Sequence, residues 1–263
     1  MALLDADDLF LPGKLSRVAQ AFQQNPSLGM VYHTYMQWNV QADERRDSDF
    51  LLVSGDIHTS PEQFFFYVPH PTSCISFRRT SLGPLLPIPE SIQMLADAYP
   101  VDLIPFVAPI LAIPESLTVY RIHGANHYFT DEQQMPLEIR KSRLQKQQIL
   151  FRAMREWLAH NGYTKKQASV RSFLARWELY QESYEFPLHA PGRLRYFRHL
   201  MKYNYRYRSR ISWRLQVINY FNAFASLATG YRYFPYLEKW RLRAFDSIRR
   251  STKKDIHDTA SRR

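Results

Sequence analysis

Cysteine is nearly absent: Cys74 stands alone in a chain of 263 residues. With no second thiol, an intrachain disulfide and a thiolate metal cluster are both excluded, and the composition suits a reducing compartment. Long apolar runs are lacking as well. No uninterrupted stretch approaches the roughly 18 residues that a membrane span requires. The first ten residues carry three aspartates and no basic group, so they do not read as a signal peptide. The nine histidines include no H-E-x-x-H spacing, which disfavours a zinc enzyme. Acidic residues are scarce in one region only. Residues 191–254 hold twelve Arg and four Lys against Glu238 and Asp246, a net charge of +14, whereas residues 1–190 come to −3. The basicity of the chain therefore belongs to its C-terminal third.

What is present is ample apolar material, 45% of all residues, enough for a packed core. Met1 to Leu4 reads as the end of a buried strand, followed at once by Asp5-Ala6-Asp7-Asp8. Leu15, Val18, Ala19 and Phe22 fall at i, i+3, i+4 and i+7, which predicts an amphipathic helix ending near Asn25-Pro26. Gly29 to Trp38, Thr72 to Phe77 and Leu117 to Ile122 read as strands. Ser60 to Phe66 reads as a short helix, Gln41 to Asp49 as a charged loop, and Glu90 to Tyr99 as a helix. After about Thr130 the pattern becomes wholly helical. Leu137, Leu144, Phe151 and Leu158 repeat at seven, and four or five helices are expected over 137–250, with turns at Asn161-Gly162, Ala190-Pro191-Gly192 and Thr229-Gly230. The expected organisation is a mixed α/β portion over 1–130, a basic, aromatic-rich helical extension over 131–254, and a frayed end over 255–263.

Chemistry concentrates where the first short apolar run ends. Carboxylates two apart on a turn beyond a strand can reach one divalent cation whose other positions take phosphate oxygens. An isolated D-x-D also arises simply because acids favour turns and helix N-termini. Its surroundings narrow the choice. The segment Leu4-Asp5-Ala6-Asp7-Asp8-Leu9-Phe10-Leu11-Pro12-Gly13-Lys14-Leu15 resembles the metal-binding segment of family 2 glycosyltransferases of the GT-A fold. Thr72-Ser73-Cys74-Ile75-Ser76-Phe77-Arg78-Arg79 resembles that family's S-x-x-x-F-R-R strand. Leu117-Thr118-Val119-Tyr120-Arg121-Ile122-His123-Gly124-Ala125-Asn126 resembles its L-x-x-Y-R-x-H-x-x-N signature. The three stretches occur in the family's order and span about half the chain.

The resemblance implies a partial GT-A-like mixed sheet followed by an α-helical C-terminal region. It implies a metal, Mg²⁺ or Mn²⁺, ligated by Asp5 and Asp7 with His123 in reach, and a nucleotide-sugar diphosphate bound by Asp5, Asp7, Asp8 and Arg121. Asp97, between the second and third stretches, becomes the base that deprotonates an acceptor hydroxyl on a glycan or lipid-linked molecule, with inversion at the anomeric carbon. Many relatives carry Glu-Asp at that point, where this chain has Ala96-Asp97. The βαβ unit that opens the family's domain and holds the nucleoside does not precede Asp5 here, so the chain is expected to be inactive alone; a start assigned too far downstream, a split enzyme completed by a separate polypeptide and a decayed fragment are the three explanations that remain. The competing class is a non-catalytic remnant or binding module acting through the basic helices. The plainest reading of their interleaved basic and aromatic residues is a helical bundle with a solvated basic face; beyond that they suit an anionic membrane surface better than nucleic acid, which would put a cytoplasmic protein at the inner face of the plasma membrane.

Overall fold

The computed structural model describes residues 1–48, 52–67, 70–124, 126, 137–188, 192–207 and 213–229. In chain order the elements are β1 (Leu9–Phe10), α1 (Lys14–Gln24), β2 (Met30–Asn39), β3 (Glu44–Asp47), α2 (Pro61–Phe66), β4 (Ile75–Phe77), α3 (Arg79–Leu82), α4 (Ala98–Leu103) and β5 (Ile110–Ile122). The helices α5 (Leu137–His160), α6 (Ala168–Leu188), α7 (Arg193–Tyr207) and α8 (Trp213–Thr229) follow. The fold is thus mixed α/β with a C-terminal helical region. The helix expected around Leu237 to Ile248 and the frayed end at 255–263 lie outside the described residues.

The sheet has five strands in the order β1-β5-β2-β3, with β4 on the free part of β2. Strand β2 runs parallel to β5, from Met30 opposite Ile110 to Asn39 opposite Ile122. Antiparallel β1 sets Leu9 against Val119, and β4 sets Phe77 against Met30. Side chains of a strand alternate between faces, and β2 fills both. Met30 and Tyr32 enter the larger core with Ile75, Phe77, Val101 and Phe106, while Val31 packs with Val18, Ala21, Ile113 and Leu117 beneath α1. Arg78 closes the end of α1, its guanidinium donating to the carbonyls of Phe22 and Leu28, each at 2.8 Å.

Four expectations are corrected. Thr72 to Phe77 is not strand throughout: Thr72–Cys74 form one tight helical turn and β4 starts only at Ile75. Met1 to Leu4 is not a buried strand end: Met1 and Leu4 are exposed, and Ala2 forms a single bridge to Ser76 at the margin of β4. The loop expected over 41–49 contains β3, fully exposed and paired to the end of β2. The helix expected over 90–99 is instead irregular backbone, with α4 beginning only at Ala98 and taking Pro100 into its first turn, where a missing N–H leaves no bond unmade.

The core does not end where the strands end. Leu150, Phe151, Met154, Leu158, Val170, Phe173 and Trp177, from α5 and α6, belong to the same cluster as the sheet residues. The chain divides into compact units of residues 1–182 and 183–263. Within the first, Trp157 Nε1 donates to the Pro84 carbonyl at 2.9 Å and the Tyr163 hydroxyl to the Phe106 carbonyl at 2.5 Å. Arg176 pairs with buried Asp102 and also donates to the Tyr67 carbonyl. Among the described residues no helix is long and apolar enough to cross a membrane.

Candidate functional site: an acidic turn at the sheet edge

The acidic turn lies just before β1, closed by the Asp8 amide donating to the Asp5 carbonyl at 3.2 Å. Three distant segments hold it. The Ser73 hydroxyl accepts the Asp5 amide at 2.9 Å. The Arg121 amide, near the end of β5, donates to Asp8 Oδ1 at 3.2 Å, and Arg121 Nε donates to the Asp7 carbonyl. His123 Nε2 meets Asp7 Oδ2 at 3.0 Å. Asn126 completes the third segment: its amide nitrogen donates to the Arg121 carbonyl at 2.7 Å, and its Oδ1 accepts the His123 amide at 2.8 Å.

Beneath the turn sits Lys14, the first residue of α1, only 1% exposed. Its ammonium donates to the Ser73 carbonyl and, at 3.1 Å, to Thr118 Oγ1, and lies 3.4 Å from the centroid of the Phe10 ring. Gly13, at φ 83°, permits the turn that carries Pro12 into this helix. Burial drives the Lys14 pKa down to about 8. One buried cation thus ties α1, the 72–74 turn and β5 together behind the aspartates. Lys14→Met is expected to lower the unfolding free energy by about 1–3 kcal/mol, since charged hydrogen bonds are lost from a buried site. The unfolded chain holds more protons at this lysine between pH 8 and 10.5, so its burial makes wild-type stability rise with pH there. Urea unfolding at about pH 7 and about pH 9, one unit below and above the shifted value, should show the variant's deficit widening with pH.

The four carboxylates differ. His123 holds Asp7 below the usual carboxylate range, chiefly through its hydrogen bond. Burial, then the charges of Asp8, Asp97 and Asp7, push Asp5 up. Asp8 is pushed up by burial, and its Oδ2 is sealed without a hydrogen-bond partner; the nearby Ser73 hydroxyl eases this without offsetting it. Asp97 precedes α4 but does not cap it. Its Oδ2 accepts instead from the Thr72 hydroxyl at 2.6 Å, and the same hydroxyl lowers the cost of charge on Asp5. Thr72 therefore links Asp5 and Asp97, which are far apart in sequence.

Asp5, Asp7, Asp8, Asp97, Arg121 and His123 are gathered at one edge of the sheet. The set Asp5, Asp7 and His123 does not form one cluster: Asp7 pairs with His123, whereas Asp5 turns toward Thr72. Among the described residues no three His, Cys, Asp or Glu side chains are grouped so as to hold a metal ion by themselves. Lys14, Thr72 and Asn126 were given no role by sequence reasoning. All three stand inside the quoted motif segments, the only signal they offered. Cys74 is buried in the core, and burial raises its thiol, so it is no nucleophile.

No family model matches the chain. A protein of Nostoc sp. named Uncharacterized glycosyltransferase alr2836 is 30% identical over 142 residues, a stretch covering 49% of this chain and 41% of that protein. The chain thus spans less than half the length of this curated relative, and over about half its own length it is similar to a protein named as a glycosyltransferase.

Proposed function

We propose that the acidic edge is the metal and acceptor side of a family 2 type, GT-A glycosyltransferase site, transferring a sugar from a nucleotide-sugar to a hydroxyl of a glycan or lipid-linked acceptor with inversion. The observation that carries this reading is the convergence on one turn of Asp7, paired with His123, and Asp97, linked to Asp5 through Thr72. Four carboxylates beside one arginine leave an excess of negative charge that a divalent cation would relieve. The buried Asp8 Oδ2 without a partner points the same way.

Mg²⁺ typically takes one or two carboxylates and fills its remaining positions with phosphate and water, so the lack of a three-residue cage suits this role. Asp7 and Asp5, half-buried and facing solvent, would hold Mg²⁺ or Mn²⁺, with His123 adjacent. The ion's contribution is neutralisation of the diphosphate leaving group. Arg121, whose terminal guanidinium nitrogens make no hydrogen bond among the described residues, would pair with phosphate. Asp97 would take the acceptor's proton as the acceptor oxygen bonds to the anomeric carbon and the bond from that carbon to the diphosphate breaks.

The test does not depend on where the nucleoside is held. Inorganic pyrophosphate with Mn²⁺ should raise the melting temperature of the chain, as expected for about 2.7 kcal/mol of stabilisation at a hundredfold excess over Kd. Pyrophosphate with EDTA should leave it unchanged. Identical melting in both conditions would overturn the reading in favour of a non-catalytic binding module.

A further inference from the structure

Helix α8 carries its polarity inverted. On α8, Trp213, Val217, Phe221, Phe224 and Leu227 are exposed, Phe221 by 65%. Their spacing of four, four, three and three places them on one face of the helix. The opposite side of α8 buries Asn222, Ala223 and Ser226. On α7, Asn204 is buried, and neither its amide oxygen nor its amide nitrogen has a partner; Asn222 Oδ1 is likewise buried without one. The Ser226 hydroxyl turns back to the Ala223 carbonyl at 2.6 Å. The two helices touch through Phe197 and Phe224, ring centroids 5.5 Å apart.

A helix in water does the reverse, burying its apolar stripe and exposing amides and hydroxyls. Small and polar residues between helices, with aromatic and aliphatic residues outside, are the pattern of helices whose surroundings are apolar. Charge identifies those surroundings. Residues 191–229 contain eight Arg or Lys and no Asp or Glu. Arg193, Arg195 and Arg198 of α7 are exposed. An apolar, aromatic face joined to a wholly basic flank complements a surface that is anionic above and hydrocarbon below. Helix α8, 17 residues long, is not of the length and apolarity to span such a layer.

We propose that α8 lies in the headgroup boundary of an anionic lipid bilayer, with Val217, Phe221 and Phe224 in the acyl region and the arginines of α7 against the headgroups. This surface belongs to residues 183–263 and the acidic edge to residues 1–182, and the inference stands whether or not that edge transfers sugars.

The test uses the full chain and vesicles of phosphatidylcholine with and without about one third phosphatidylglycerol, at about 0.15 M salt. Co-sedimentation with the anionic vesicles, weak or absent with the neutral ones, is expected. Val217→Glu with Phe221→Glu should lower the anionic partition at least about tenfold. Because these positions are exposed, circular dichroism should be unchanged. A second variant keeps the face apolar: in Phe221→Cys, an environment-sensitive fluorophore labels that position selectively, as Cys74 is buried. Its emission should shift to the blue on anionic vesicles. The proposal is overturned if no vesicle binds, if binding ignores the double variant, or if the fluorophore stays in water. It is equally overturned if the double variant dissolves a dimer while lipid binding persists, which would make a second copy the occupant of α8. Binding of an oligonucleotide at matched salt, without vesicle binding, would assign the basic flank to nucleic acid.

Discussion

Asp7→Asn should abolish the Mn²⁺-dependent binding of pyrophosphate, with a loss of at least about 100-fold, or about 2.7 kcal/mol. The substitution is nearly isosteric, and the position is half-buried at a turn fixed mainly by backbone contacts. The Arg121 Nε bond goes to the Asp7 carbonyl, and the turn itself is closed between Asp5 and Asp8, so neither needs the Asp7 carboxylate. His123 and Asn126 both lie at Asp7 Oδ2, at 3.0 Å and 3.5 Å, and an amide oxygen can still accept from them. Stability should therefore move by less than about 1 kcal/mol while the negative charge offered to a cation disappears. Asp97→Asn makes the opposite cut. Pyrophosphate binding should be retained, since the role proposed for Asp97 is toward the acceptor, while sugar transfer from a nucleotide-sugar should fall at least about 100-fold, the scale of general base catalysis. Isothermal titration with Mn²⁺ and pyrophosphate separates the two variants. Unchanged affinity in Asp7→Asn would remove Asp7 from any metal site, and with it the central support for a nucleotide-sugar transferase.

The turn was legible in the sequence because its chemistry is local. Three aspartates after an apolar run, followed by Pro12 and a helical period, need no distant residue to be recognised. Strand β2 was legible for a similar reason, since Met30 to Trp38 carries its β-branched and aromatic residues consecutively. The seven-residue spacing of Leu144, Phe151 and Leu158 gave a helix, and all three prove buried. That these helices share a core with the sheet was not legible, because periodicity says which face is covered and not by what. Strand β3 was missed since Glu44-Arg45-Arg46-Asp47 has no apolar face; it exists through backbone pairing with Met36 to Asn39. Pro100 misled in a different way. The helix expected over 90–99 ends just before it, yet it sits in the first turn of α4. Lys14 had no role in sequence because its partners lie 59 and 104 residues away. The convergence of Asp97 on Asp5 through Thr72 is likewise a product of topology: the 72–74 turn leads into β4, which pairs with β2, and this brings Thr72 beside the acidic turn.

The largest loss of stability should follow Arg176→Met, at about 3–5 kcal/mol. Asp102 is the deepest acid of the first unit, its side chain 1% exposed, and Arg176 is its ion-pair partner. Asp102 Oδ2 already has no hydrogen-bond partner. The same guanidinium donates to the Tyr67 carbonyl at 2.5 Å and lies 5.3 Å from the Tyr67 ring and 5.6 Å from the Phe173 ring. Methionine can fill much of the volume but leaves a buried carboxylate uncompensated. Burial already raises the Asp102 pKa, with Arg176 opposing it, so removing Arg176 drives it further up. A carboxyl whose folded pKa lies above its unfolded value binds more protons in the native state, so stability falls as pH rises between the two. The deficit of Arg176→Met should accordingly be smallest near the unfolded value of 3.8 and grow toward neutral pH. Adding Asp102→Asn should recover part of the loss at neutral pH and little in acid, because the neutral amide mimics the protonated carboxyl. Urea unfolding of the single and double variants at about pH 4.5, just above the usual carboxylate value, and at about pH 7.5, well above it, measures both effects. A pH-independent deficit below about 1 kcal/mol would show that packing of Phe173 and Trp177, rather than the ion pair, fastens α6 to the α/β core.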